Sequence, residues 1–292
     1  MDQELIMDRN KPYLLGMYEK SMPADLSWKE KLENCRAFGF DWLEISIDET
    51  EAKLSRLDWT PGERQALIKT MQACGVPIST MCLSGHRKYP LGSLNPKGHR
   101  RSLEIMAKAI DLASDLGIRL IQLAGYDVYY EEGSDQTRRE FIRNLRTAVG
   151  MAAKKGVILG FETMETPFMD TVEKAMDYVQ LIDSPYLGIY PDIGNLTNAS
   201  QLYHVPVPKD IEKGKGHLFA AHLKETRPGV YREVPFGTGH TNYPEDLRKL
   251  KELGVRMFTG EFWHTAQNPD YPEICRQAAC FLRCQLDEVF HD

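Results

Sequence analysis

The chain lacks several features that would settle its function at once. None of its six cysteines (Cys35, Cys74, Cys82, Cys275, Cys280, Cys284) forms a Cys-x-x-Cys pair. That excludes a zinc ribbon and a thioredoxin-type redox motif. Cys280 and Cys284 lie one helical turn apart in an apolar C-terminal stretch, where packing in the core is the expected use of a free cysteine. No apolar run approaches the roughly 18 residues that a membrane span needs, so no membrane partner is expected. There is no excess of positive charge either: 36 Lys and Arg stand against 42 Asp and Glu, a net charge of −6. Such a balance offers no general basic surface for nucleic acid. Low-complexity tracts and Gly/Ser linkers are missing, so a single domain over residues 1–292 is expected. The opening "MDQELIMDRNKPY" is charged and has no apolar signal core, and a cytoplasmic location follows as the expectation.

What is present is an alternation. Short apolar strand patterns occupy 13–18, 42–47, 78–83, 120–125, 157–162, 187–192, 218–223 and 257–262. Between them run helical patterns such as "SWKEKLENCRAFG", "HRRSLEIMAKAIDLASDLG" and "TRREFIRNLRTAVGMAAKKG", each stopped by glycine, as helix C-termini often are. "YPEDLRKLKELG" and "EICRQAACFLRCQLDEVF" complete the set. Eight strands alternating with helices imply a parallel sheet closed into a (β/α)₈ TIM barrel. An open doubly wound sheet is the rival, but its usual GxGxxG or P-loop is absent from "LLGMYEK" after the first strand.

In such a barrel the C-terminal strand ends line the active site. The fifth strand ends in Glu162, the sixth in Asp192 ("LGIYPDIGN"), the seventh carries His222 and the eighth Glu261, at spacings of 30, 30 and 39 residues. Each position alone has a plainer explanation. Asp192 reads equally well as a helix N-cap, His222 as a core histidine, and either glutamate as an arginine partner. Together they place three carboxylates beside one imidazole, an arrangement that a divalent cation balances. Gly194 would then let the chain turn away from Asp192. Three carboxylates and a histidine suit Mn²⁺, Zn²⁺, Co²⁺ or Mg²⁺ without choosing among them. A carbonyl held by such a cation has a more acidic α-proton, which Glu162 and Glu261 can remove and return as acid/base partners.

The stretches "GFETMETP", "YPDIGNL", "AAHLKETRPGVYREVPFGTG" and "GEFW" resemble the xylose-isomerase-like barrel superfamily, and within it the L-ribulose-5-phosphate (L-xylulose-5-phosphate) 3-epimerases. "LGMYEKSMP", "MCLSGHRKYPLGS" and "LIQLAGYDVYYEE" extend the likeness through the first half. The resemblance implies one divalent metal, Mn²⁺ or Zn²⁺ first, on Glu162, Asp192, His222 and Glu261. It also implies C3 epimerisation of a ketopentose phosphate through an enediolate, with both glutamates catalytic, and a homo-oligomer, dimer or larger. Related enzymes for unphosphorylated ketoses usually carry His three residues after the Asp. Here that position is Asn195, which favours the sugar-phosphate branch. Candidate substrate contacts are Lys224, two residues after His222, then His86, Asn195, Arg227 and Arg56, with Arg87, Lys88 and Arg232 in neighbouring loops. The N–H groups of Gly237 and Gly239 are further candidates for cradling phosphate. The alternatives are a free-ketose 3-epimerase or an aldose–ketose isomerase of the hexulose-6-phosphate type on the same scaffold. Outside that chemistry stand a trinuclear endonuclease, disfavoured by the negative charge, and a non-catalytic binding barrel.

Overall fold

A computed structural model describes residues 11–267 and 270–291; most of the opening segment lies outside them. Eight strands are present: β1 Leu14–Tyr18, β2 Trp42–Ile47, β3 Ile78–Leu83, β4 Leu120–Ala124, β5 Ile158–Glu162, β6 Leu187–Ile189, β7 Ala221–Leu223 and β8 Met257–Gly260. Every residue of β2 and β4 is buried, as expected of a parallel sheet covered on both faces. All pairings are parallel, in the order β6-β5-β4-β3-β2-β1-β8-β7. The seam between β6 and β7 is closed by the parallel bridges Ile189–Leu218 and Asp192–His222. The His222 N–H donates to the Pro191 carbonyl across that seam at 2.9 Å. Pro191 has no N–H to return, and β6 and β7 shrink to three residues each. The TIM barrel expected from the alternation is thus the observed architecture.

Ten α-helices surround the sheet among the described residues: α1 Trp28–Ala37, α2 Glu51–Leu54, α3 Pro61–Cys74, α4 Pro96–Leu116, α5 Asp135–Lys155, α6 Val172–Ile182, α7 Ile193–Tyr203, α8 Val207–Glu212, α9 Tyr243–Glu252 and α10 Tyr271–Phe290. The patterns picked out from sequence correspond to α1, α4, α5, α9 and α10. α3 is not among them; its start is fixed by a reciprocal capping box between Thr60 and Glu63 around Pro61. Gly75, Gly117 and Gly156 end α3, α4 and α5 in the left-handed region, at φ 66°, 80° and 65°.

Cys280 and Cys284 do not pack in the core; both are exposed. The buried stripe of α10 is Cys275, Ala278, Ala279, Leu282, Leu286, Val289 and Phe290, and positions 280 and 284 fall on its other face. Inside the barrel the fully buried residues are largely polar. Glu44, Thr80, Gln122, Tyr190, His222 and Thr259 all have zero exposure. They form the floor under the C-terminal strand ends.

Candidate metal centre

Glu162 closes β5, Asp192 follows β6, His222 lies in β7 and Glu261 follows β8. One ligand atom from each lies within 4.8 Å of all the others, and all four residues are buried. His222 Nδ1 stands 3.5 Å from Glu261 Oε2, 3.6 Å from Glu162 Oε1 and 4.0 Å from Asp192 Oδ2. The four residues chosen from strand ends therefore meet in one place.

Asp192 performs both of the roles that looked like alternatives. Its Oδ1 accepts from the Asn195 N–H at 2.7 Å and caps α7, while its Oδ2 turns into the cluster. Gly194 makes no left-handed turn. It lies in the first turn of α7, where a Cβ would sit 2.7 Å from the Lys224 carbonyl and 2.9 Å from Thr226 Cγ2. Its role is close approach between two strand-end loops.

The electrostatics follow from burial. Burial, then the neighbouring Glu261 charge, raises the Glu162 carboxyl above its ordinary range. Burial does the same to Asp192, pushing it to about 8 despite the pull of Lys224. Glu261 is held low because Lys224 and His222 outweigh its desolvation. His222 is raised well above the usual imidazole value; burial opposes this, and Glu44 and Glu261 prevail. Asp192 Oδ2 and Glu261 Oε2 are buried and accept no well-formed hydrogen bond. Three hard oxygen donors and one imidazole nitrogen, gathered in a buried site with more anionic than cationic charge, fit a divalent cation.

Lys224 is 5 % exposed, and its Nζ lies 2.9 Å from Asp192 Oδ2 and 3.2 Å from Glu261 Oε2. It belongs to the centre itself rather than to a separate anion pocket. Asn195 Nδ2 donates to the Thr163 carbonyl at 2.7 Å, and its buried Oδ1 has no partner. His86 is buried, with Nε2 3.1 Å from the Ser102 carbonyl, and desolvation lowers it to about 4. Arg227 is spent on its own loop, donating to the Thr238 carbonyl and hydroxyl at 3.1 and 3.2 Å.

Arg56 donates through both Nη atoms to Glu19, at 2.6 and 2.7 Å. The N–H of Gly237 donates to Glu225 Oε2 at 2.8 Å and that of Thr241 to Oε1 at 3.1 Å, so the glycine-rich loop already cradles the chain's own carboxylate. Arg87 differs from these cations. Its guanidinium carbon lies 4.7 Å from the centre of the Tyr129 ring, and its buried Nε has no hydrogen-bond partner. The hydroxyl of Tyr126, another buried rim residue, is also unpartnered.

Sequence reasoning missed what holds His222. Glu44 Oε1 lies 2.7 Å from His222 Nε2, although the two are 178 residues apart. Gln122 Nε2 approaches both ring nitrogens, at 2.9 and 3.1 Å. Glu44 is the third residue of β2, and nothing in its spacing linked it to β7.

The xylose isomerase-like TIM barrel family model matches residues 32–283. L-ribulose-5-phosphate 3-epimerase UlaE of Salmonella paratyphi A is 43% identical over 257 residues, 87% of this chain and 89% of that protein. The enzyme of the same name from Escherichia coli O139:H28 matches with the same identity and coverage. Among solved structures, a D-tagatose 3-epimerase-like protein superposes with a TM-score of 0.78 at 20% identity, over 95% of this chain and 98% of its own. An L-ribulose 3-epimerase gives 0.75 at 16% identity, with 96% of each chain covered. With its barrel, its strand-end cluster and these relatives, the chain belongs to the xylose isomerase-like TIM barrel family.

Proposed function

We propose that this protein is a metal-dependent sugar-phosphate 3-epimerase that interconverts L-xylulose 5-phosphate and L-ribulose 5-phosphate. The observation that carries the proposal is the convergence of Glu162, Asp192, His222 and Glu261 at the ends of β5 to β8. The 43% identity to L-ribulose-5-phosphate 3-epimerases over 87% of the chain supports the substrate. Glu162, Asp192, His222 and Glu261 would hold one divalent ion, for which the resemblance puts Mn²⁺ or Zn²⁺ first. Once bound, that ion supplies positive charge beside the ketose oxygens, which acidifies the C3 proton.

The chain's own residues do the rest. Glu162 and Glu261 come from β5 and β8 and both approach His222 Nδ1, at 3.6 and 3.5 Å. One removes the C3 proton and the other delivers a proton to the opposite face. Lys224 holds the Asp192 and Glu261 carboxylates in place and adds a donor to the cavity. Asn195 Oδ1, buried and unpartnered, accepts a substrate hydroxyl. The phosphate end goes to Arg87, which makes no ion pair among the described residues and carries an unpartnered Nε. Tyr126 and Tyr129 stand beside it.

Proton exchange in D₂O, followed by NMR with L-xylulose 5-phosphate, tests the proposal. Deuterium at C3 with L-ribulose 5-phosphate as product, lost on chelation and restored by Mn²⁺ or Zn²⁺, is the expected result. Exchange at C1 with an aldose product would make the enzyme an isomerase instead. Equal turnover of free and phosphorylated ketose would remove the phosphate from the proposal.

A further inference from the structure

We infer that Glu44 is a positioning residue for the metal centre, fixing His222 as the tautomer that carries its proton on Nε2 and presents Nδ1 as the ligand nitrogen. The inference rests on the metal centre proposed above. Glu44 touches none of the reacting groups; it acts through the imidazole.

The geometry is a directed chain of hydrogen bonds across the barrel floor. Glu44 Oε1 lies 2.7 Å from His222 Nε2. The other oxygen, Oε2, accepts from Thr80 Oγ1 at 2.5 Å and from the Tyr190 hydroxyl at 3.1 Å. Tyr190 has given its only proton to Glu44, so its oxygen accepts from Thr259 Oγ1, 2.6 Å away. All five side chains are fully buried. The two hydroxyl donors hold the carboxylate in one orientation, and solvent cannot compete with it.

Only one tautomer satisfies this chain. A carboxylate oxygen offers lone pairs, so Nε2 must bring the proton. With the opposite tautomer, two lone pairs would face each other at that 2.7 Å separation, and a protonated Nδ1 would have no lone pair to offer a metal ion. Gln122 approaches the two ring nitrogens almost equally and favours neither. Ligand histidines generally donate their second N–H to such a partner, and its loss typically costs about 10–100-fold in metal affinity or activity. Glu44 and Thr80 come from β2 and β3, the half of the barrel that supplies no member of the ligand set.

The test uses Zn²⁺-loaded protein labelled with ¹⁵N-histidine. Long-range ¹H–¹⁵N spectra, with His222 assigned by the signal missing in His222→Gln, should show the proton on Nε2. A proton on Nδ1 would overturn the inference without any variant at Glu44. In parallel, Zn²⁺ affinity of wild type and Glu44→Gln is measured by chelator competition, with thermal unfolding as the folding control. Glu44→Gln should bind zinc about 10–100-fold more weakly. Thr80→Val, which keeps the carboxylate but removes one of its donors, should give a smaller loss in the same direction. Zinc that fails to bind wild type overturns the metal centre itself. Zinc that binds wild type and Glu44→Gln equally overturns the role of Glu44 alone.

Discussion

Two buried charge clusters sit at the C-terminal strand ends, and they have opposite composition. Around His222, four carboxylates (Glu44, Glu162, Asp192, Glu261) meet, among the described residues, only Lys224 and the imidazole as counter-charges. Just beyond β1, a single carboxylate, Glu19, accepts from Lys31, Lys53 and Arg56 at 2.9, 2.6 and 2.6 Å. The second cluster is complete as it stands. Its surplus positive charge is met by aromatic faces: Arg56 lies 4.8 Å from the Trp28 ring centre and 5.9 Å from that of Trp59, and Lys31 lies 5.3 Å from Trp28. The first cluster has no such relief, and two of its buried oxygens are left without a hydrogen bond. A surplus of cations can be settled by rings and a solvent edge. A sealed surplus of carboxylates calls for an ion.

The comparison breaks most visibly at Glu19. Glu19→Gln leaves three cations without their anion and should destabilise the protein by about 3–5 kcal/mol, read as a lower urea midpoint at pH 7. An unchanged midpoint would mean that the two clusters do not differ as described. Next comes Glu261→Gln, which should cut turnover by at least about 10²-fold. Near-normal turnover would take Glu261 out of the mechanism.

Asp192→Asn sharpens the contrast, because asparagine caps a helix as well as aspartate does while removing one charge from a crowded anionic site. Its metal-free form should melt at or above the wild-type temperature, although its metal affinity collapses. A drop of several degrees would show that the Asp192 charge, not only its cap, stabilises the fold.

A smaller effect concerns Lys53, which burial first, and then Arg56, lowers to about 8 despite Glu19. Its folded value lies below the unfolded one of about 10.4, so between these values the unfolded chain binds more protons. Stability therefore gains a contribution as pH rises through that window. Urea midpoints at pH 8 and pH 10 should rise more in wild type than in Lys53→Met; identical changes would remove Lys53 as the cause. The smallest effect is expected from Cys280→Ser and Cys284→Ser. Both sites are exposed, and each change should alter stability by no more than about 0.5 kcal/mol.

Much of the fold and the candidate site was legible because both depend on local order in the chain. A strand with buried faces is an apolar run, and a residue at the C-terminal end of that run points into the barrel mouth. That is why Glu162, Asp192, His222 and Glu261 were found together. The cations were harder. Arg56 and Arg227 look like free donors in loops, and only the folded chain shows one held by Glu19 and the other by Thr238. The glycine-rich loop looks like a phosphate cradle until Glu225 is seen filling it.

The amino-acid order by itself determined the alternation of strands and helices, the barrel and the four residues at its mouth, since periodicity and strand ends are properties of neighbouring residues. The tertiary structure alone decided which charges are already spent and which remain for a ligand. It also decided which nitrogen of His222 faces the carboxylates, through a glutamate 178 residues away. Burial and hydrogen-bond partners at that distance arise only when the barrel closes and water leaves its floor.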